Sequence, residues 1–242
     1  MTKSTHISIL LSVLFATSLA QNNSPIIVRD NMVWVGYFSM IKFNDKWSLN
    51  SDAQFRTRNE VKNYSQALLR TGLSYKLNEK VDVTLGLAHF RFFITNDKTR
   101  GEWRPWQEFK LNDKFGNCKL SHRFRVEQRF NETVKNSEAT NDYQFNFRFR
   151  YRFDLRYPIL KENKSGNNIY ALIGNEIMVN AGNNISYNYF DQDRLYVGVN
   201  YEINKKIALQ LQYMHVWQQA SNGLTLNSNE VIRFNIYHTI SI

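Results

Sequence analysis

Cysteine is nearly absent. The 242 residues hold one, Cys118, so no intramolecular disulfide can form and the fold must stand without one. Proline is scarce as well, with 3 in the chain, so few breaks interrupt the extended segments. Beyond residue 20 no stretch approaches the about 18 consecutive apolar residues that mark a membrane helix. Helical insertion is thereby excluded for the later chain, and insertion as a β-barrel is not. HExxH, CxxC, glycine-rich phosphate loops and Asp-rich calcium loops are all missing, so no metal or cofactor is implied.

What is present begins with Lys3 and the apolar run "ISILLSVLFATSLA" (7–20), closed by the small residues Ser18 and Ala20. That order of charge, apolar core and small-x-small site predicts a signal peptide over 1–20, with a mature chain starting near Gln21. No cysteine stands at the cleavage point, which argues against a lipoprotein anchor. Residues 21–31 are expected to be a leader or a short first strand, followed by one domain over 32–242.

That domain reads as strands. Segments at 32–42, 47–58, 66–77, 80–94, 103–113, 118–131, 142–157, 168–180, 190–203, 206–219 and 229–242 alternate in character, and no convincing amphipathic helix lies between them. In "FRFRYRF" (147–153) the rings of Phe147, Phe149, Tyr151 and Phe153 share one face and Arg148, Arg150 and Arg152 the other. Leu195, Val197 and Val199 likewise oppose Arg194, Tyr196 and Asn200, and Ile232, Phe234 and Ile236 oppose Arg233, Asn235 and Tyr237. Strands of this length exceed the usual globular mode of about five or six residues and suit a tilted membrane crossing.

Connections alternate in length. "FNDK" (43–46), "NEK" (78–80), "NDKFGN" (112–117) and "NKK" (204–206) are tight; 59–66, 95–102, 131–142, 180–190 and 220–229 are long, and 161–168 breaks the contrast. The expected fold is therefore all-β: an antiparallel transmembrane β-barrel of about 12 strands (10 to 12), with short periplasmic turns, longer extracellular loops, rings to lipid and arginines to the lumen. Eleven strands are counted. Since bacterial single-chain barrels normally use an even number, either "SPIIVRD" (24–30) makes a twelfth strand, which is the expectation favoured, or one strand boundary is misplaced.

This pattern resembles the uncharacterised bacterial outer-membrane barrels grouped as domain of unknown function 2490. The resemblance rests on Trp34 opening the first strand, "WSLNSDAQFRTR" (47–58), the hairpin "RTGLSYKLNEKVDVTLGLAHFRF" (70–92), "LSHRFRVEQRF" (120–130) and "DRLYVGVNYEINKKIALQLQYMHVWQ" (193–218). It covers nearly the whole mature chain and implies location and fold, with no established activity.

The strongest constellation is an arginine ladder: Arg123, Arg125, Arg129, Arg148, Arg150, Arg152 and Arg156, met on the same faces by Glu127 and Asp154. Further lumenal candidates are Asp52, Arg56, Arg70, Glu108 and Lys110, then Glu176, Arg194, Glu202 and Arg233. A charge network that fills and rigidifies the interior accounts for them, and so does a narrow anion-preferring pore or a site for an acidic solute. On the pore reading, glutamine at 148, 150 and 152 shifts ion selectivity.

The formal net charge of +10 raises the question of nucleic acid, which export to the outer membrane argues against. The expected partners are outer-membrane lipid and lipopolysaccharide, and a small anionic solute. A lipid-acting enzyme and a component of an envelope assembly are the rival classes. Ser121 neighbours His122 but faces the opposite way, while His89, His122, His215 and His238 fall on the lipid-facing register or near strand ends. No combination of nucleophile, base and orienting group stands out, so a non-enzyme is expected. Trp34, Trp47, Trp103, Trp106 and Trp217 read as interface girdle residues, with carbohydrate stacking as the alternative for Trp103 and Trp106.

Overall fold

Three hairpins share one formula, Asn-x-Lys between hydrophobic residues. In the computed structural model, which describes residues 25–160 and 167–242, Asn44 Oδ1 accepts from the backbone N–H of Lys46 (2.9 Å) and Trp47 (2.8 Å). Asn78 does the same for Lys80 and Val81, and Asn204 for Lys206 and Ile207. Each side chain stands in for a backbone acceptor and closes a tight turn. All three turns lie at one end of the molecule, which we call the turn end.

The strands they join are β1 (Ile26–Lys42), β2 (Trp47–Arg58), β3 (Asn63–Lys76), β4 (Val81–Phe93), β5 (Thr99–Phe115) and β6 (Cys118–Lys135). Then follow β7 (Glu138–Leu160), β8 (Asn168–Ala181), β9 (Phe190–Glu202), β10 (Ile207–Gln219) and β11 (Thr225–Ser241). Each pairs antiparallel with its sequence neighbour, and β1 pairs with β11 to close a barrel. The closing pair is parallel, from Ile26 opposite Thr225 to Lys42 opposite Ser241. An odd number of strands requires this, because the first and last then run the same way.

The twelfth strand expected from 24–30 does not form. Residues 26–30 continue without a break into β1, which is 17 residues long, so the barrel has eleven strands. The loops also differ from expectation. The long connection read at 131–142 is strand: β6 and β7 continue to a two-residue turn at Asn136 and Ser137, whose φ values of 51° and 64° fit a type I′ hairpin. A bulge between Glu132 and Val134 adjusts its register. The loop end is thus built partly from strand overhang. The expected signal peptide at 1–20 lies outside the described residues.

The burial pattern inverts that of a soluble sheet. Leu69, Leu85 and Leu211 are 65%, 66% and 55% exposed on the outside, whereas Glu102 and Asn235 are fully buried within. Such an outer wall is stable against lipid, and closure leaves no unpaired strand edge there. Polar side chains on that wall satisfy one another across strands, as Ser51 with Thr71 (3.0 Å) and Gln107 with Gln128 (2.8 and 3.2 Å).

The interior is not wholly polar. Trp34 packs with Leu172, Tyr196, Met214, Val216 and Val231, and Trp106 with Leu68, Ala88 and Phe90. Glycines make room for the second cluster: a Cβ on Gly86 would stand 2.4 Å from the Trp106 ring and from the Thr71 carbonyl oxygen. Trp34 and Trp106 are therefore buried in the barrel, against the expectation of girdle residues, while Trp47 and Trp103 face outward. Both Trp103 and Trp106 lie in β5, on opposite faces, which removes the paired stacking platform.

Candidate functional site: the barrel lumen

Alternation on β6 and β7 sends Arg123, Arg125, Arg148, Arg150 and Arg152 inward, and the register sets like charges face to face: Arg123 opposite Arg152, Arg125 opposite Arg150. Direct cross-strand pairs of one sign are unfavourable by themselves. Carboxylates from the flanking strands resolve the conflict. Arg125 reaches Glu108 of β5 at 2.5 Å, Arg150 reaches Glu127 at 2.5 Å and Glu176 of β8 at 2.7 Å, and Arg123 bonds Glu176 too. Arg194 approaches Glu176 from β9 at 3.5 Å, so one carboxylate is shared by three guanidiniums. Planar forks of five donors suit such sharing.

Ladder members further along are also paired. Arg152 meets Asp154 at 2.8 Å, Arg148 meets Asp191 at 2.8 Å, and Arg129 meets Glu102 at 2.6 Å. Asp52 pairs with Arg70 at 2.7 Å on the opposite side of the barrel, and Glu202 accepts from Asn168 near the turn end. Glu102, Asp191 and Arg104, which bonds Glu102 at 2.5 Å, were not among the sequence candidates. The turn residues over 95–102 predict a loop at Glu102, although Glu102, Arg104, Trp106, Glu108 and Lys110 alternate on one face of β5 and extending that strand reaches it.

Guanidiniums also cap the apolar clusters. Arg56 lies 4.1 Å from the Trp34 ring, Arg125 lies 4.2 Å from Trp106, and Arg104 lies 3.6 Å from Phe90. The lumen is thus layered, with charge networks separated by aromatic shelves.

A cavity of about 970 Å³ remains, lined at the turn end by Asn44 and Lys46 and at the loop end by Asn188, Ala220 and Ser221. Arg56, Arg100, Lys110, Arg156 and Arg233 also line it, and among the described residues none of the five has a carboxylate at ion-pairing distance. Arg56 instead bonds Gln66 (2.9 Å) and Gln54 (3.2 Å), and Arg233 lies over the Phe38 ring. The paired arginines form the wall, and these five cations stand on it without an ion pair among the described residues; Lys42, Lys46 and Lys76, and the carboxylates of Asp45, Glu79 and Asp82, line the cavity unpaired as well.

Among the described residues, the histidines stay on the outer wall. His122 bonds Tyr151 and His238 bonds Tyr37, each at 2.8 Å, and His89 lies against Trp103 with ring centroids 4.4 Å apart. His215 bonds Glu230 at 2.6 Å.

Comparison with known proteins adds family but no activity. An uncharacterised protein of Methylorubrum extorquens is 25% identical over 238 residues, covering 96% of this chain and 97% of the relative. A structure titled NanC porin aligns over 82% of this chain and 94% of its own, at 14% identity and TM-score 0.47. The beta domain of the Bordetella autotransporter Brka aligns over 74% and 78%, at 15% identity and TM-score 0.41. The family described as "Protein of unknown function (DUF2490)" matches residues 31–227, and the chain belongs to it.

Proposed function

We propose that the protein is a narrow, anion-preferring pore of the bacterial outer membrane, exported by its N-terminal leader, with the turn end in the periplasm and the loop end outside. One observation carries the reading: a cavity with lining residues from both ends of the barrel is lined by 17 lysines and arginines against 7 acidic residues, and Arg56, Arg100, Lys110, Arg156 and Arg233 among them have no carboxylate partner among the described residues. Spread over about 30 Å of barrel height, from ~12 residues rising ~3.3 Å each at ~40° tilt, that volume leaves a bore of roughly 30 Å² in section. Field and size together then favour small anionic solutes. Lipopolysaccharide and outer-membrane lipid are the surrounding partners.

The test is planar-bilayer recording of the detergent-folded protein under a salt gradient. Discrete steps with an anion-sided reversal potential are expected, moving toward zero in Arg56→Gln and Arg233→Gln. Silence from a protein shown to be folded rejects the reading in favour of a barrel sealed by its aromatic shelves, and a cation-sided reversal rejects the anion preference.

A further inference from the structure

Most polar groups on the lipid-facing wall close as pairs. Between β10 and β11 they instead form a directed chain. Glu230 can only accept, so His215 donates its Nδ1–H to Glu230 Oε1 at 2.6 Å. That leaves His215 Nε2 as the acceptor, and the Ser228 hydroxyl, 3.1 Å away, donates to it. Tyr213 donates to the other oxygen of Glu230 and holds the carboxylate in place. Hydroxyl, imidazole and carboxylate in this order are the parts of an activated nucleophile.

Register explains the meeting. His215 stands directly opposite Glu230, and Ser228 is two residues along β11 on the same face. Trp217 lies against the imidazole, with ring centroids 3.9 Å apart. Across the parallel closure, Arg29 stands beside Ser228 and Asn31 beside Glu230. Arg29, Asn31, His215, Ser228 and Glu230, together with Asp30, border a groove of about 440 Å³ open to the outside. Toward the turn end the same wall is apolar, with Leu211, Ile232 and Phe234 exposed. An amphiphile can therefore lay its chain on that wall and bring its polar end to Ser228.

We propose that Ser228 and His215, oriented by Glu230, hydrolyse carboxylic esters of long-chain acyl lipids from the membrane in which the barrel sits. Ser228 Oγ attacks the acyl carbonyl carbon and its proton passes to His215 Nε2. The bond to the alcohol oxygen breaks as His215 returns that proton to the leaving alcohol. Water then attacks the acyl-serine through the same base, releasing the carboxylic acid and the free hydroxyl. Strand N–H groups are held in the ladder, so the exposed Arg29 guanidinium is the donor placed to receive the developing oxyanion.

The experiment uses the full chain folded in detergent, with fold checked by heat-modifiable gel mobility. Fatty-acid release is measured from phospholipid vesicles and from vesicles that also contain lipopolysaccharide, beside labelling by an alkyl fluorophosphonate. Expected are serine labelling and acyl release by the wild type, and a fall of about a thousandfold or more in Ser228→Ala. Release from phospholipid alone identifies glycerophospholipid esters, and release only with lipopolysaccharide identifies its acyl esters. Glu230→Gln, a change to a positioning residue, is expected to lower kcat with KM held, with partial rescue in Glu230→Asp. No release from either vesicle by folded protein, or release that persists in Ser228→Ala, overturns the proposal. Ser228 lies on the outer wall, so bilayer conductance tests the pore reading separately.

Discussion

At the scale of single residues, the interior sorts its charges into two kinds. Glu176 is shared by Arg123, Arg150 and Arg194, so Glu176→Gln leaves Arg194 with no carboxylate among the described residues, Arg150 with Glu127 alone and Arg123 with Glu108 alone. Removing one partner of a buried ion pair costs about 3–5 kcal/mol, and equilibrium unfolding in urea should show a loss of that order for this variant. Arg233, by contrast, has no carboxylate to lose, and Arg233→Gln is expected to alter conductance with little change in unfolding. Glutamine at 148, 150 and 152, which sequence reasoning directs at selectivity, breaks pairs with Asp191, Glu127, Glu176 and Asp154. Its first effect is then on stability. Alternation made the inward arginines legible, and Glu108, Glu127, Asp154 and Glu176 with them; which of these pair was not, because a strand's own pattern names a face and never the residue across from it.

At the scale of elements, the turn end was readable and the loop end only in part, since the loop at 180–190 forms and the one at 131–142 does not. Asn-x-Lys carries its own mechanism, since the Asn side chain closes the turn locally. The overhang of β6 and β7 has no such signal. Above the apolar band both faces meet water, so "NETVK" shows no alternation to betray a strand. Aromatic placement on β5 offers a direct check. In single-tryptophan variants, brominated lipid should quench Trp103 strongly and leave Trp106 nearly untouched; equal quenching would place both rings outside. The shelf under Trp106 depends on Gly86, and Gly86→Ala should cost about 1–3 kcal/mol through overpacking, read as a lowered unfolding midpoint.

At the scale of the whole molecule, length, alternation and the absence of helices gave the barrel, whereas the evenness expected of bacterial barrels pointed to a strand that does not exist. Continuity of β1 from Ile26 decides the count. Ser228 and His215 come together only through hairpin register, and Arg29 joins them only because the first strand closes on the last in parallel. That closure has a consequence for compartments. In an even-stranded barrel whatever precedes the first strand and whatever follows the last emerge on the same side. Here Ile26 sits at the loop end and Ser241 at the turn end. An epitope placed just ahead of Ile26 should be reached by antibody on intact cells, and the same epitope behind Ile242 only after the outer membrane is opened. The two ends of one small barrel thus address opposite sides of the membrane, and whatever is fused to them is sorted accordingly.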